Sequence, residues 1–222
     1  MTESDQWAKL ERELRKEGIT DSRVLDAMAR VPRELFVPTE CRAHALRNIP
    51  LPIGHGQTIS QPLVVAMMTQ ALELTGTETI LEVGTGSGYQ CALLAELGRK
   101  VVSIERLEAL ATAARARLAK LGYSNVEVVI GDGTLGYPEL APYDAIIVTA
   151  STPTAPQPLL DQLADGGRIV VPVGSHSCQE LILHTKRGGK FTTQRLGAVR
   201  FVPLIGEAGW QEREADLLFQ EW

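Results

Sequence analysis

The chain has 222 residues, of which 44% are hydrophobic and 22% charged, and its formal net charge is −5. This length and balance are typical of one globular domain with small additions at its ends. The acidic total lacks the electrostatic signature of a nucleic-acid-binding protein, so we expect a protein or a small molecule as substrate and no nucleic acid.

The start of the chain, its hydropathy and its cysteines predict the compartment. The acidic start over residues 1–5 is followed by no apolar run, which argues against a secretory signal. No stretch approaches the roughly 18 apolar residues of a membrane helix. Cys41, Cys91 and Cys178 are far apart and lack metal-ligand spacing. We therefore expect a cytoplasmic protein with reduced thiols, no membrane contact and no metal, and we further expect a monomer.

The first sixty residues have a different pattern of apolar and proline residues from the rest of the chain. Trp7, Leu10 and Leu14 recur at helical spacing, and Asp21 is a suitable N-cap for a second helix. The proline-containing stretch 49–54 predicts irregular or extended backbone, because proline fixes φ and removes an amide donor. Pro62, preceded by Ser60, then resembles the start of a third helix.

From residue 79 onward, short β-branched runs alternate with helical patterns. Such alternation is typical of a parallel sheet with helices on both faces. Two later runs flank Arg187-Gly188-Gly189 and predict a hairpin. The predicted strands are residues 79–83, 101–104, 126–130, 145–148, 168–173, 181–185 and 191–196, with helices at 90–97 and 107–121.

These elements predict an α/β fold. It is Rossmann-like and doubly wound, with a mostly parallel sheet, an antiparallel C-terminal hairpin and an N-terminal helical and irregular extension. We expect residues 1–222 to form a single domain. Its expected portions are 1–76 (helical and substrate segment), 77–174 (ligand-binding core) and 175–222 (hairpin and tail).

A glycine-rich turn is the first chemical motif. The spacing Gly84-x-Gly86-x-Gly88 follows a predicted strand and precedes a predicted helix. Glycines there let the backbone turn sharply and let a ligand approach the main chain. The spacing differs from the dinucleotide pattern. The turn therefore indicates a nucleotide-like ligand, and the alternative is only a tight strand-to-helix turn.

Two acids follow the next two predicted strands. Glu105, about 20 residues beyond the turn, can accept hydrogen bonds from ribose hydroxyls, or alternatively only start a helix favourably. Asp132 can accept a hydrogen bond from an adenine amine, although Asp-Gly is also a common turn. Carboxyl ends of adjacent parallel strands meet at one edge, so turn and acids together point to S-adenosylmethionine, which has a ribose and an adenine but no phosphate.

Several segments extend this interpretation to a family. They are residues 31–38 (VPRELFVP), 51–62 (LPIGHGQTISQP), 131–133 (GDG), 166–174 (GGRIVVPVG) and 199–204 (VRFVPL). With the glycine turn, they closely resemble the protein-L-isoaspartate O-methyltransferases over nearly the whole chain and in family order. Residues 45–48 depart from the family pattern, which often has an aromatic residue and an acid shortly before the Pro-Ile-Gly segment.

The resemblance implies the class I S-adenosylmethionine methyltransferase type of this fold. Such enzymes methylate the α-carboxylate of isoaspartyl residues in damaged proteins and peptides, with S-adenosyl-L-homocysteine as product. The ester closes to a succinimide that reopens partly to aspartate. The resemblance further implies that the cytoplasmic partners of this chain are isoaspartyl proteins and peptides.

The resemblance also implies site residues. Ser60 is the implied catalytic residue, and Thr58, Ser60, Val202 and Leu204 are expected to contact the substrate. The expected cofactor-binding residues are Gln57, Thr58, Ile59, Glu82, Gly84, Thr85, Gly86, Ser87, Gly88, Glu105, Asp132 and Gly133.

Ser60 fits the chemistry as a positioning group. A carboxyl group with a pKa of about 4 is already ionised at neutral pH, so it needs no general base to attack a methyl group. We expect Ser60 to hold it by a hydrogen bond, and the alternative role is an N-cap for the helix at Val64. Competing functions are a related methyltransferase for another carboxylate or peptide, and a non-catalytic S-adenosylmethionine-binding module. A dinucleotide-dependent oxidoreductase is disfavoured by the glycine spacing.

Overall fold

The computed structural model describes residues 3–175 and 177–212, so the predicted tail beyond Glu212 lies outside the described residues. The chain begins with helices α1 (Glu3–Lys16) and α2 (Ser22–Arg30). The Asp21 side chain accepts a hydrogen bond from the Arg23 amide, 2.9 Å away, so it caps α2 as predicted.

A short hairpin follows two 3₁₀ turns at Arg33–Phe36 and Thr39–His44. Strand β1 (Leu51–Gly54) pairs antiparallel with β2 (Gln57–Ile59). The sequence predicted extended backbone for the first strand but not its pairing partner. The hairpin turn is possible because two of its three residues are glycines, and all three have positive φ (Gly54, His55, Gly56). Helix α3 (Pro62–Ala71) comes next.

A seven-stranded sheet forms the centre of the molecule. The strands of this sheet and the α-helices that connect them are, in chain order, β3 (Thr79–Val83), α4 (Tyr89–Leu97), β4 (Lys100–Glu105), α5 (Glu108–Lys120), β5 (Val126–Ile130), β6 (Tyr143–Val148), α6 (Gln157–Asp161), β7 (Leu163–Gly174), β8 (Gln179–Arg187) and β9 (Lys190–Val199). The strand order is β5-β4-β3-β6-β7-β8-β9. Strands β3 to β7 are parallel, and β8 and β9 are antiparallel. The predicted fold class is thus confirmed, although α6 was not predicted.

The strand order creates a crevice between β3 and β6. These two strands are neighbours, but the chain proceeds from β3 towards β4 and β5 on one side and from β6 towards β7 on the other. Their carboxyl ends therefore lead into loops that diverge, which is where ligands bind in open α/β sheets. The glycine turn follows β3, and Thr149 follows β6, so both lie at this crevice.

Two buried clusters fix the sheet between its layers. Ile80 packs into a cluster that includes the buried faces of α2, α3 and α4, whereas Leu81 faces the opposite cluster with Leu159 of α6. Alternation is expected because successive side chains of a strand point to opposite faces. Helix α4 is buried on nearly all sides, so its start at Tyr89 is held rigidly. Within the described residues, no helix has the length and apolarity needed to cross a membrane.

Candidate active site

The three turn glycines are required by backbone conformation. Gly84, Gly86 and Gly88 have φ values of +96°, +52° and +87°, which only glycine adopts without strain. A Cβ atom on Gly84 would also collide with the Thr149 side chain, and one on Gly88 would lie 3.3 Å from the Ala114 Cβ. The turn is therefore built for both its conformation and its close packing.

Glu105 connects the turn to the next helix. One carboxylate oxygen accepts a hydrogen bond from the Gly86 amide at 2.8 Å, and the other accepts one from the Leu107 amide at 3.0 Å. A carboxylate has about four acceptor positions, so two remain for a ligand. The bond to Leu107 gives Glu105 the helix-starting role, and Glu105 also lines the cavity beside the turn, where its binding of a ribose stays a prediction.

Glu82 lies beneath the turn and does not line the cavity. It is fully buried and accepts a hydrogen bond from Ser103, whose hydroxyl also lies 2.6 Å from the Thr85 hydroxyl. Burial raises the pKa of Glu82 to about 8, and the negative charge of Glu105 adds to this, whereas hydrogen bonds from Ser103 and Cys91 oppose it. The structure thus places Glu82 under the turn as a support.

Asp132 holds a neighbouring loop. Its Oδ1 accepts hydrogen bonds from the amide and hydroxyl of Thr134 (2.9 and 2.7 Å), and its Oδ2 accepts one from the Glu207 amide at 2.7 Å. Asp132 and Trp210 line an adjoining cavity, and Ile205 lines both that cavity and, with Leu204, the cavity beside the turn. Asp132, which the sequence predicted to bind adenine, therefore holds residues 204–210, which we call the wall loop. Through this loop it shapes the wall of the cavity beside the turn.

The cavity beside the turn brings together most of the predicted residues. Gly88 is absent from its wall because it is the N-cap of α4, has a left-handed conformation and faces α5. Sequence reasoning missed the other eleven lining residues, most of which have the spacing of ordinary core or surface residues: Val65, Met68, Val83, Tyr89, Gln90, Ile104, Arg106, Thr149, Ala150, Pro203 and Ile205. The predicted residues that do line it are Gln57, Thr58, Ile59, Ser60, Gly84, Thr85, Gly86, Ser87, Glu105, Gly133, Val202 and Leu204.

The C-terminal wall of this cavity depends on two anchors. The buried Gln179 side chain accepts a hydrogen bond from the Phe201 amide (2.7 Å) and donates one to the Phe201 carbonyl (3.2 Å). Ser151, after β6, receives the Leu204 amide and donates its own amide to Val202, both at 2.8 Å. These bonds bring Val202 and Leu204 from the far end of the chain to the crevice.

A second cleft opens from the first. Thr58, Ser60, Thr149 and Val202 line both, and the second is completed by residues of α3 and by the segment after β9. Among the described residues, the Ser60 hydroxyl has no hydrogen-bond partner, and the N-cap position of α3 is Gln61. The alternative role of Ser60 as an N-cap is therefore wrong, and its hydroxyl is available at the junction of the two cavities.

Comparison with known proteins places this geometry in a family. Residues 5–209 match the model of the family described as protein-L-isoaspartate(D-aspartate) O-methyltransferase. The protein-L-isoaspartate O-methyltransferase of Methanoculleus marisnigri is 57% identical over 202 residues, which cover 91% of this chain and 92% of the relative. A relative from Syntrophobacter fumaroxidans is also 57% identical, over 91% of this chain and 94% of its own.

The chain belongs to the protein-L-isoaspartate O-methyltransferase family.

Solved structures agree with this assignment. One protein-L-isoaspartate O-methyltransferase is 30% identical and superposes with a TM-score of 0.82, covering 91% of this chain and 67% of that one. Another, from Plasmodium falciparum, is 26% identical with a TM-score of 0.77 over 89% and 97% of the two chains, and was solved with S-adenosyl-L-homocysteine. As a family member, the chain is a methyltransferase that uses S-adenosylmethionine and acts on isoaspartyl residues.

The cavity beside the turn fits this cofactor by its donor and acceptor set. S-adenosylmethionine carries hydroxyls, amines and a sulfonium, but no phosphate. The wall offers the free acceptor positions of Glu105 and of the turn backbone. Among the described residues that line the cavity, Arg106 is the only one with a lysine or arginine side chain. Arg106 also forms an ion pair with Glu212 at 3.4 Å. An acceptor-rich wall suits a cationic ligand and would suit a polyphosphate poorly.

We expect the buried acid beneath the turn to make stability depend on pH. Its pKa of about 8 in the folded state exceeds the ordinary value of 4.5. Between these values the folded chain keeps a proton that the unfolded chain loses, so the free energy of unfolding falls as pH rises. The glutamine of Glu82→Gln is neutral at every pH, so this loss should be absent from the variant. Urea unfolding at several pH values should therefore show the free energy of unfolding of Glu82→Gln rising, relative to that of the parent, as the pH increases from about 4.5 to about 8.

Ser103→Ala supplies the matched comparison. It removes a hydrogen bond that lowers the pKa of Glu82, so the fall in stability should extend to higher pH. If the free energies of unfolding of the parent and of Glu82→Gln changed in parallel with pH, the raised pKa of Glu82 would be contradicted.

We expect Asp132→Asn to weaken S-adenosylmethionine binding through the wall loop. An amide has one acceptor oxygen, so the bond to Thr134 or to Glu207 is lost. A lost hydrogen bond is worth about 0.5–1.5 kcal/mol, so calorimetry should show Kd rising about two- to thirteenfold. Gly206→Ala should have the same sign, because its Cβ would collide with the Asp132 carboxylate. Glu207→Gln keeps the backbone amide and is the control; an equal loss in that variant would refute the explanation.

Proposed function

We propose that this chain methylates the α-carboxylate of an L-isoaspartyl residue that Ser60 holds at the junction of the two cavities, and that this initiates repair through a succinimide. One observation carries the proposal. Ser60 lines both the cavity beside the glycine turn and the second cleft, and its hydroxyl is without a partner among the described residues. A group held there faces the methyl donor on one side and the rest of a peptide on the other.

The chemistry asks the protein for position more than for proton transfer. S-adenosylmethionine supplies an electrophilic methyl group on a sulfonium. The substrate carboxylate is ionised at neutral pH, so the Ser60 hydroxyl needs only to donate a hydrogen bond to one oxygen and leave the other directed towards the cofactor cavity. Correct alignment of reacting groups can supply roughly 7–11 kcal/mol of rate enhancement.

The cofactor is proposed to bind along the crevice. Glu105 accepts hydrogen bonds from the ribose with the acceptor positions that Gly86 and Leu107 leave free. Gly133 and the wall loop enclose the adenine, and Asp132 contributes by holding that loop. The hairpin residues Gln57, Thr58 and Ile59 lie between the cofactor and the substrate. In this arrangement Glu82 and Gly88 shape the turn and do not contact the ligand.

Substrate binding is assigned to the second cleft. Val202 lines both cavities and closes the junction with an apolar side chain, while Leu204 lines the cofactor side. The Val202 carbonyl accepts a hydrogen bond from the Ser151 amide and the Leu204 amide donates one to the Ser151 carbonyl, so the positions of both residues are held. Burial of the reacting carboxylate under these side chains excludes water, which strengthens its interaction with a cation.

Other properties complete the proposal. Cys41, Cys91 and Cys178 are all free thiols, which supports a reducing compartment, and we propose a cytoplasmic monomer that acts on damaged proteins and does not bind nucleic acid. We also treat residues 1–222 as one domain, with portions 1–76, 77–174 and 175–222. A methyltransferase for another carboxylate, or a non-catalytic S-adenosylmethionine-binding module, are the alternatives that the next experiments separate.

The substrate is tested with two peptides that differ only in aspartate or isoaspartate at one position. With labelled S-adenosylmethionine, we expect base-labile methyl ester on the isoaspartyl peptide alone, since only that linkage presents an α-carboxylate on the side branch. Equal labelling of both peptides would indicate a broader carboxyl methyltransferase. Labelling of neither, with S-adenosylmethionine bound, would indicate a non-catalytic module.

Ser60→Ala tests the positioning role. We expect kcat for the isoaspartyl peptide to fall about 10- to 100-fold, because a misplaced reacting group costs up to about 100-fold. The Kd of S-adenosylmethionine should change by less than about twofold. Ser124→Ala, at an exposed turn between α5 and β5, is the matched control and should leave both values as in the parent. An unchanged kcat in Ser60→Ala would remove Ser60 from the mechanism.

A further inference from the structure

We infer that Arg33 is a positioning residue that holds Ser60 in place relative to the glycine turn. The inference rests on the proposed role of Ser60 and adds the residue through which the N-terminal segment sets its position. Arg33 lies in the segment 31–38, to which neither the cofactor cavity nor the substrate cleft assigns a role.

The first observation is a pair of hydrogen bonds from one buried guanidinium. Arg33 is 1% exposed, its Nε donates to the Ala45 carbonyl at 2.9 Å, and its Nη2 donates to the Ser60 carbonyl at 2.7 Å. Bonds from a charged donor are shorter and stronger than neutral ones. One side chain thus ties the backbone of Ser60 to the segment before the β1–β2 hairpin.

The second observation is the contact of the same guanidinium with the cofactor side. The Arg33 Cζ lies 4.8 Å from the centre of the Tyr89 ring. Tyr89 begins α4 directly after Gly88, is buried, and lines the cavity beside the turn. A cation over an aromatic face is attracted by the ring, so Arg33 is held against the first residue after the turn.

A parallel set of contacts fixes the other end of the same 3₁₀ turn. Phe36 meets Tyr89 edge to face, with ring centres 5.5 Å apart, and the Arg117 Cζ lies 5.8 Å from the Phe36 ring centre. Arg117 donates a hydrogen bond to the Ser87 carbonyl at 2.7 Å. The 3₁₀ turn at Arg33–Phe36 is therefore linked both to Ser60 and to the glycine turn, which are the two groups that must be aligned.

A buried cation is an expensive way to fill space, and this cost argues for a geometric role. Burial lowers the pKa of Arg33, and Tyr89 opposes this change. No ion pair of Arg33 occurs within the part of the chain that the structure describes. An apolar side chain would pack at lower cost. A planar fork of donors can bind two carbonyls while its centre lies over an aromatic ring, and lysine lacks that fork.

Arg33→Lys tests this role, with Ser60→Ala as its partner in a double-mutant cycle. We expect kcat for the isoaspartyl peptide to fall about tenfold or more, because small misplacements of a reacting group are costly. The Kd of S-adenosylmethionine should stay within about threefold of the parent value. In the Ser60→Ala background, Arg33→Lys should cost less than about threefold further, because no hydroxyl remains to be misplaced.

Met28→Ala is the stability control. Met28 is buried in α2 and has no hydrogen-bonded link to Ser60, so it should lower Tm by an amount similar to or larger than Arg33→Lys while kcat stays within about twofold well below Tm. Phe36→Leu keeps an apolar side chain but removes the ring that Tyr89 and Arg117 contact, and should reduce kcat less than Arg33→Lys. It keeps the inference testable if Arg33→Lys does not fold.

The outcomes separate this inference from the proposed function. If the parent labels the isoaspartyl peptide and Ser60→Ala is slow, but Arg33→Lys costs the same factor with and without Ser60, Arg33 is merely structural and the inference fails alone. An unchanged kcat in Phe36→Leu, when Arg33→Lys does not fold, would also overturn it. If the parent labels no isoaspartyl peptide, or Ser60→Ala is fully active, the proposed function fails first.

Discussion

The reversal of strand order between β3 and β6 is the constraint on which the site depends. Because the chain leaves these neighbouring strands in opposite directions, their following loops separate and leave a crevice. The glycine turn forms one lip, and Thr149 forms the other by donating its hydroxyl to the Gly84 carbonyl at 2.6 Å. A Cβ atom on Gly84 would collide with the same threonine, so the close packing of the two lips requires glycine at position 84.

Charged and polar groups around this crevice act mainly by holding backbone. Glu105 receives two amides, Asp132 receives the amides of the wall loop and of Thr134, and Arg33 binds two carbonyls. Each joins segments that are separate in the chain. Methyl transfer to an ionised carboxylate needs alignment of the reacting groups and exclusion of water more than acid or base catalysis. A site whose backbone is held by several hydrogen bonds matches the need for alignment.

The glycine turn and Glu105 illustrate what local pattern can predict about a site. Their roles follow from spacing after a strand, which the parallel sheet converts into nearness at one edge. Asp132 has the same kind of spacing, and hydrogen bonds from Thr134 and Glu207 take three of the about four acceptor positions of its carboxylate. Residue 207 is too distant in the chain for any local pattern to pair it with Asp132. Glu82 was grouped with the turn, but strand alternation directs its side chain to the buried Ser103. For Ser60, the helix start that the sequence indicated was one residue too early, since Gln61 is the N-cap.

The sequence by itself determined the alternating strands and helices, the antiparallel hairpin at the end and the position of the glycine turn, because these depend on periodicity and on the conformational freedom of glycine. Only the tertiary structure decided that Thr58, Ser60, Thr149 and Val202 meet where two cavities join. It also decided that Arg33 reaches both Ser60 and Tyr89. Such contacts join residues far apart in the chain, and their geometry is set by how the sheet, the helices and the hairpin pack together.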